Sequence, residues 1–239
     1  MLKTIKQSLA AVMTVGLAAS AAATTIGVPG TADPWLAGMP NGSTASSGDV
    51  APGQSPALVT GLSFAAGDLL VFSASGSTDH CTSGGCGLAG AEGDANEGPT
   101  GHSGGAENGI GNVVSPIDAL IGVFLDGSQP SLTAAPSTVL DFSTALARDF
   151  ASLAPLLKQP FFIGDGRRND GVTVQTFAVP TGATRLYLGT MDGYGWYNNV
   201  GSLTVSVDIQ NAVPEPATLP IVAASVLGLL LRRRRPLAG

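Results

Sequence analysis

The eight residues "SLTVSVDI", 202–209, alternate without a break: Leu203, Val205, Val207 and Ile209 fall on one side of an extended chain, and Ser202, Thr204, Ser206 and Asp208 on the other. Successive side chains of a strand point to opposite faces, so this run predicts a strand with one face on a core and one in water. Six further stretches toward the N-terminus carry strand character: "ALVTGLSF" (57–64), "DLLVFSASG" (68–76), "DALIGVFLDG" (118–127), "PFFIGDG" (160–166), "VTVQTFAVP" (172–180) and "TRLYLGTM" (184–191). Most are bounded by Gly, Pro or Asp, the residues that close strands. Ala65-Ala66-Gly67 is expected to turn the first two into a hairpin. Seven short strands separated by turn residues predict an all-β sandwich.

Two segments break this pattern. In "DFSTALARDFASLAPLLKQ" (141–159), Phe142, Leu146, Phe150, Leu153 and Leu157 recur every three or four residues, which predicts a short helical insertion capped by Ser143 and disturbed at Pro155. Residues 76–112 carry glycine at twelve positions, interspersed with Asp79, Glu92, Asp94, Asn96, Glu97, Glu107 and Asn108. A stretch this long without periodicity is expected to be a functional loop or a disordered one.

The two ends have their own character. Lys3 and Lys6, an apolar run from Leu9 to Ala19 and the small residues Ala21-Ala22-Ala23 predict a secretory signal peptide over 1–23. Near the other end stand Pro214-Glu215-Pro216, fifteen mostly apolar residues (217–231) and Arg232 to Arg235. A helix of that length spans about 22 Å, short of a hydrocarbon core of about 30 Å, with snorkelling arginines closing part of the gap. The arginines favour a cytoplasmic C-terminus and place the bulk of the chain outside. This tail, 211–239, resembles the PEP-CTERM sorting signal of Gram-negative bacteria. The resemblance implies recognition by an exosortase near Pro214, Glu215 and Pro216, transient anchoring in the membrane by the 217–231 helix, and a destination in the cell envelope or extracellular matrix of organisms that export polysaccharide.

Without the two ends the charge balance changes. Residues 24–213 keep every acidic residue but Glu215 and, of the bases, only Arg148, Lys158, Arg167, Arg168 and Arg185, a formal charge of −11 where the whole chain carries −6. Such a surface repels nucleic acid and anionic lipid and suits divalent cations. About 190 residues are enough for one β-rich domain with a core. The only two cysteines, Cys81 and Cys86 in "HCTSGGC", would reach an oxidising compartment. That favours a local disulfide; the other reading is a metal site using His80 and Cys81.

Between the last two predicted strands lies "LGTMDGYGWYNNVGS" (188–202). A calcium ion takes six to eight oxygens at about 2.3–2.6 Å from carboxylates, amide carbonyls and backbone carbonyls. Asp192, Asn198 and Asn199 offer side-chain oxygens, while Gly193 and Gly195 let the backbone curl inward. Tyr194, Trp196 and Tyr197 surround them, and aromatic faces pack against the C–H surfaces of sugars. The same residues also fit a tight turn whose aromatics cap the core.

"GDLLVFSASG", "DALIGVFLDG" and "FAVPTGATRLYLGTMDGYGWYNNVGSLTVSV" are similar, in order and spacing, to the calcium-dependent galactophilic lectins of bacteria. The resemblance implies a jelly-roll-like, galactose-binding-like β-sandwich over 57–210, preceded by an N-terminal segment, 24–56. It implies calcium on Asp192, Asn198 and Asn199 with a backbone carbonyl near Gly195, and a sugar held by the ion with Asp192, Tyr194, Trp196 and Asn198 around it. The histidine that the family places after a Gly-Asp pair has no counterpart after Gly93-Asp94, where Asn96 and Glu97 stand. The function expected is that of an exported surface or matrix protein binding calcium and a carbohydrate, an exopolysaccharide or a galactose-like sugar. The alternative is a structural matrix module without a sugar ligand. Enzyme chemistry is not expected: the "GHSGG" pattern around Ser103 lies in glycine-rich sequence unsuited to a strand-to-helix elbow, and Asp165 and Asp170 in "GDGRRNDG" read as a polar hairpin turn beside Arg167 and Arg168.

Overall fold

A computed structural model describes residues 23–45 and 48–210. The predicted signal peptide, Pro214-Glu215-Pro216, the helix expected over 217–231 and the arginine cluster lie outside the described residues. Two long strands, β3 (Leu69–Asp79) and β12 (Val200–Ile209), pair antiparallel from Val200↔Asp79 to Ile209↔Leu70. The alternation in "SLTVSVDI" sets their orientation: Leu203, Val205 and Val207 are buried, and Thr204 is exposed. With β1 (Thr24–Pro29), β10 (Thr176–Ala178) and β8 (Ser152–Leu153) they form a sheet ordered β1-β12-β3-β10-β8. β1 contributes Val28 to the core and pairs with β12 along its whole length, so the segment before residue 57 is built into the sandwich.

The second sheet runs β2 (Ala57–Leu58), β11 (Arg185–Thr190), β6 (Leu120–Leu125), β9 (Phe161–Phe162). All six residues of β6 are buried. Because side chains alternate, such a strand must lie between two apolar layers. Leu120, Phe124, Leu186, Leu188 and Phe161 face the first sheet and join Leu70, Phe72, Phe177 and Leu203 in one core. Ile121, Val123, Leu125, Tyr187 and Phe162 face the other way and join Trp35, Ile110, Val113, Phe142, Met191 and Trp196 in a second. A small sheet, β4 (Pro99–Gly101), β5 (Val113–Pro116) and β7 (Leu140–Asp141), belongs to that outer layer. The molecule is therefore all-β, a sandwich whose second sheet is covered on its outer face as well.

Two expectations are corrected. Ala57–Leu58 pairs with β11 and not with β3, so residues 57–76 pass from one sheet to the other and form no hairpin; Asp68 instead closes a local turn by accepting from the Ala65 N–H. The predicted helix at 141–159 shrinks to one turn, α1 (Ala145–Arg148), capped by Thr144 and not by Ser143. Leu146 is 84% exposed, whereas Phe142, Phe150 and Leu153 pack on the cores from extended backbone. The chain leaves α1 where Asp149 is engaged by Arg168 and by the Asn169 N–H, and where Gln175 donates to the carbonyls of Arg148 and Phe150. Tertiary hydrogen bonds replace those a longer helix would have made.

Within 76–112 the chain is ordered by β3, β4 and a disulfide between Cys81 and Cys86, whose Cα atoms are 5.5 Å apart. Asp79 holds that small loop from inside, accepting from the N–H groups of Cys81, Cys86 and Gly87.

Candidate functional site

The C-terminal ends of β3 and β11 and the N-terminal ends of β6 and β12 meet at one edge of the sandwich. Asp192 follows β11, Asn198 and Asn199 precede β12, His80 follows β3, and Asp118 precedes β6. The 192–199 loop is folded tightly between them. Gly195 has φ +83°, in the left-handed region, and starts a 3-10 turn, Trp196–Asn198. The Asn198 N–H donates to the Gly195 carbonyl at 3.3 Å and the Asn199 N–H to the Trp196 carbonyl at 3.1 Å.

Asp192 and Asn199 each have one side-chain atom committed and one left over. Asp192 Oδ1 accepts from the Tyr194 N–H at 3.1 Å; its Oδ2 is buried and has no partner. Asn199 Nδ2 donates to the Gly30 carbonyl at 3.2 Å, which fixes the amide and leaves Oδ1 buried without a partner. Asn198 Oδ1 is in the same state. Gly30 is held at this point because a Cβ there would meet the Val200 carbonyl oxygen at 2.4 Å. Its carbonyl also accepts from Thr190 Oγ1 at 2.7 Å, which ties β1, β11 and β12 together at the loop. Burial pushes the Asp192 carboxyl above the usual range, against the Tyr194 N–H and the Asn199 side chain, which favour the anion.

The aromatic residues divide. Trp196 is fully buried: its indole donates to the Thr190 carbonyl at 2.8 Å and its ring lies 5.4 Å from Trp35 and 5.6 Å from His102. Trp196 is thus a core anchor for the loop and not a sugar-facing ring, a correction that follows from its place in the second apolar layer. Tyr194 and Tyr197, 60% and 57% exposed, present their rings to solvent on either side of it.

Three residues outside the motif shape the site. Asp49, fully buried, accepts from the Trp196 N–H at 3.0 Å and the Tyr197 N–H at 2.8 Å, so one carboxylate clamps the turn from behind. Asp118, also fully buried, has φ +66°, rare for a residue other than glycine. Its N–H donates to the Met191 carbonyl at 2.7 Å, its Oδ2 lies 2.7 Å from His80 Nδ1, and its Oδ1 has no partner. His80 Nε2 is 3.5 Å from Glu97. Burial lowers the His80 pKa, but the hydrogen bond and charge of Asp118 outweigh it and the net shift is upward. For Asp118 burial dominates and the shift is upward too, opposed by His80.

Among the described residues the other predicted candidates form no catalytic arrangement with the loop. The exposed Ser103 sits in a turn after β4, its N–H donating to the Gly193 carbonyl, and the neighbouring His102 turns away to Glu107 at 2.8 Å. Asp170 caps the "GDGRRNDG" turn through Val172 and Thr173, hydrogen bonds that lower its pKa to about 2. Arg168 is paired with Asp149 at 2.8 Å. A groove of about 580 Å³ lined by Ala135, Pro136, Pro155, Leu156, Leu157 and Pro180 shares no residue with the loop and has no titratable side chain.

No family model and no curated protein matches the chain. Among solved structures it is similar to one described as the EclA N-terminal domain, a PllA-like lectin, at 14% identity and a TM-score of 0.34, over 79% of this chain and 95% of that one. A likeness of this degree fixes neither ligand nor function.

Proposed function

We propose that the sandwich is a calcium-dependent carbohydrate-binding domain of an exported protein. The observation that carries this reading is the set of buried, unpartnered oxygens on Asp192, Asn198 and Asn199 within one eight-residue loop. A buried acceptor left without a donor costs about 1–3 kcal/mol, so such oxygens call for a ligand. The donor set is all oxygen, which suits a hard cation such as calcium and not zinc or copper. Asp192 Oδ2, Asn198 Oδ1 and Asn199 Oδ1 would hold the ion, with the Gly195 carbonyl as the backbone contribution. Two hydroxyls of a sugar would fill its open side, and Tyr194 and Tyr197 offer faces for the ring. Calcium supplies the charge that the sugar hydroxyls bind; the chain supplies the shape and excludes water behind the ion through Trp196.

The tail sequence supports export and sorting through an exosortase at Pro214-Glu215-Pro216, with an exopolysaccharide of the envelope or matrix as the natural carbohydrate partner. The burial of Trp196 favours a second reading, a structural matrix module in which calcium only stiffens the loop. Sugar binding separates the two. In the carbohydrate reading, columns bearing galactose-like sugars or the host's own polysaccharide retain the protein in millimolar calcium and release it in EDTA, and Tyr194→Ala weakens retention while calcium still binds. Calcium binding with no retention on any glycan would leave the structural module as the function.

A further inference from the structure

We propose that Asp118 is a second carboxylate ligand of the same cation, so that four side chains and not three form the cage. The inference rests on the calcium reading above and concerns a residue that lies outside the 192–199 loop. Asp118 and Asp192 stand across from each other: beyond the last β6–β11 pair, Thr190↔Leu120, the Met191 N–H donates to the Ala119 carbonyl at 2.8 Å and the Asp118 N–H to the Met191 carbonyl at 2.7 Å. His80 closes the arrangement from the other sheet. It follows Asp79, which pairs with Val200, so it stands opposite Asn199, and its Nδ1 binds Asp118 Oδ2.

With Oδ2 held by His80, the remaining Asp118 Oδ1 has no partner in a side chain shielded from water. Asp192 Oδ2 and Asn199 Oδ1, equally buried, have none either. The left-handed backbone of Asp118 is imposed from three sides, by Met191, by Thr78 Oγ1 on its carbonyl and by His80, and such strain is kept where a side chain must be aimed. His80 then acts as a second-layer donor that fixes which oxygen is presented. Two carboxylates with two amides match the double charge of calcium, and ligand charge sets affinity in oxygen sites.

The test is calorimetric titration of calcium chloride into the full chain, purified in detergent and stripped with EDTA, for wild type, Asp118→Asn and Asp192→Asn. One calcium per wild-type chain is expected, with the dissociation constant raised at least tenfold by either substitution. Tight binding retained in Asp118→Asn and lost in Asp192→Asn would overturn the role of Asp118 and leave the loop site standing. No binding by the wild type would overturn both. If Asp118→Asn does not fold, wild-type protein labelled with 13C at the aspartate carboxyl carbons gives the answer: calcium shifts the Asp118 and Asp192 resonances together, and a shift of Asp192 alone overturns the proposal.

Discussion

Asp49 decides the shape of a loop that lies far from it in sequence. Its two oxygens take the N–H groups of Trp196 and Tyr197. Asp49→Ala is therefore expected to destabilise the fold by about 1–3 kcal/mol, one buried and one partly buried donor losing their acceptor. Chemical denaturation measures this, and a loss below about 0.5 kcal/mol would contradict it. Asp33 makes a different prediction. It is buried with one oxygen unpartnered, and burial, reinforced by Asp49, Glu107 and Asp192, raises its pKa to about 8, with the Trp35 N–H opposing. The native chain then holds a proton that the unfolded chain releases near the ordinary value of 3.8, so stability should fall as pH rises from about 4 to about 8, by a few kcal/mol. Asp33→Asn should flatten that part of the profile measured in EDTA; an unchanged slope would show that the proton is elsewhere. Asp192, Asn198 and Asn199 were legible in the sequence because they sit within one loop. Asp49 and Asp118 were not, because Asp49 reaches the loop by its side chain across 147 residues of sequence and Asp118 lies beside Met191 through strand pairing, and an isolated buried aspartate has no local pattern.

At the scale of the element, periodicity told strand from helix only where one face met water. β12 alternates and was plain; β6, buried on both faces, reads as an unbroken apolar run and gave no hint of the second core. The short strands β4, β5, β7 and β8 carry too few residues for any period, and they exist because a longer neighbour offers hydrogen bonds. The 141–159 segment shows the converse. Its spacing fits a helix, yet Arg168, Asn169 and Gln175 capture its backbone and carboxylate after a single turn. Two substitutions separate these roles. Phe124→Ala, in the middle of β6, removes a ring stacked 5.3 Å from Phe161 and should cost about 3–5 kcal/mol, whereas Leu146→Ser on the exposed side of α1 should change stability by less than about 0.5 kcal/mol. Equal effects would contradict a helix turn that lies outside the core.

For the molecule as a whole, the acidic balance and the closed edge act together. Sixteen acids against five bases over 24–213 give an acidic surface of the kind that would attract divalent cations, and the edge where both sheets end carries buried oxygens without partners. The apolar layers on both sides of the second sheet hold that edge in place, so a ligand bound there would require little ordering. In the proposed function the tail at 211–239 would bear on where the domain works and not on how it binds.

Whether the loop from Asp192 to Asn199 binds calcium is decided by a thermal melt. The protein would be melted in EDTA and in 5 mM calcium, beside the double variant Asp192→Ala, Asn198→Ala. With a dissociation constant of about 0.1 mM the ion stabilises the native state by about 2 kcal/mol, which raises the melting temperature by roughly 4–8 °C for a domain of this size. That rise is expected in the wild type and its loss in the double variant. A melting temperature unmoved by calcium in the wild type would contradict it and make the loop a packed turn.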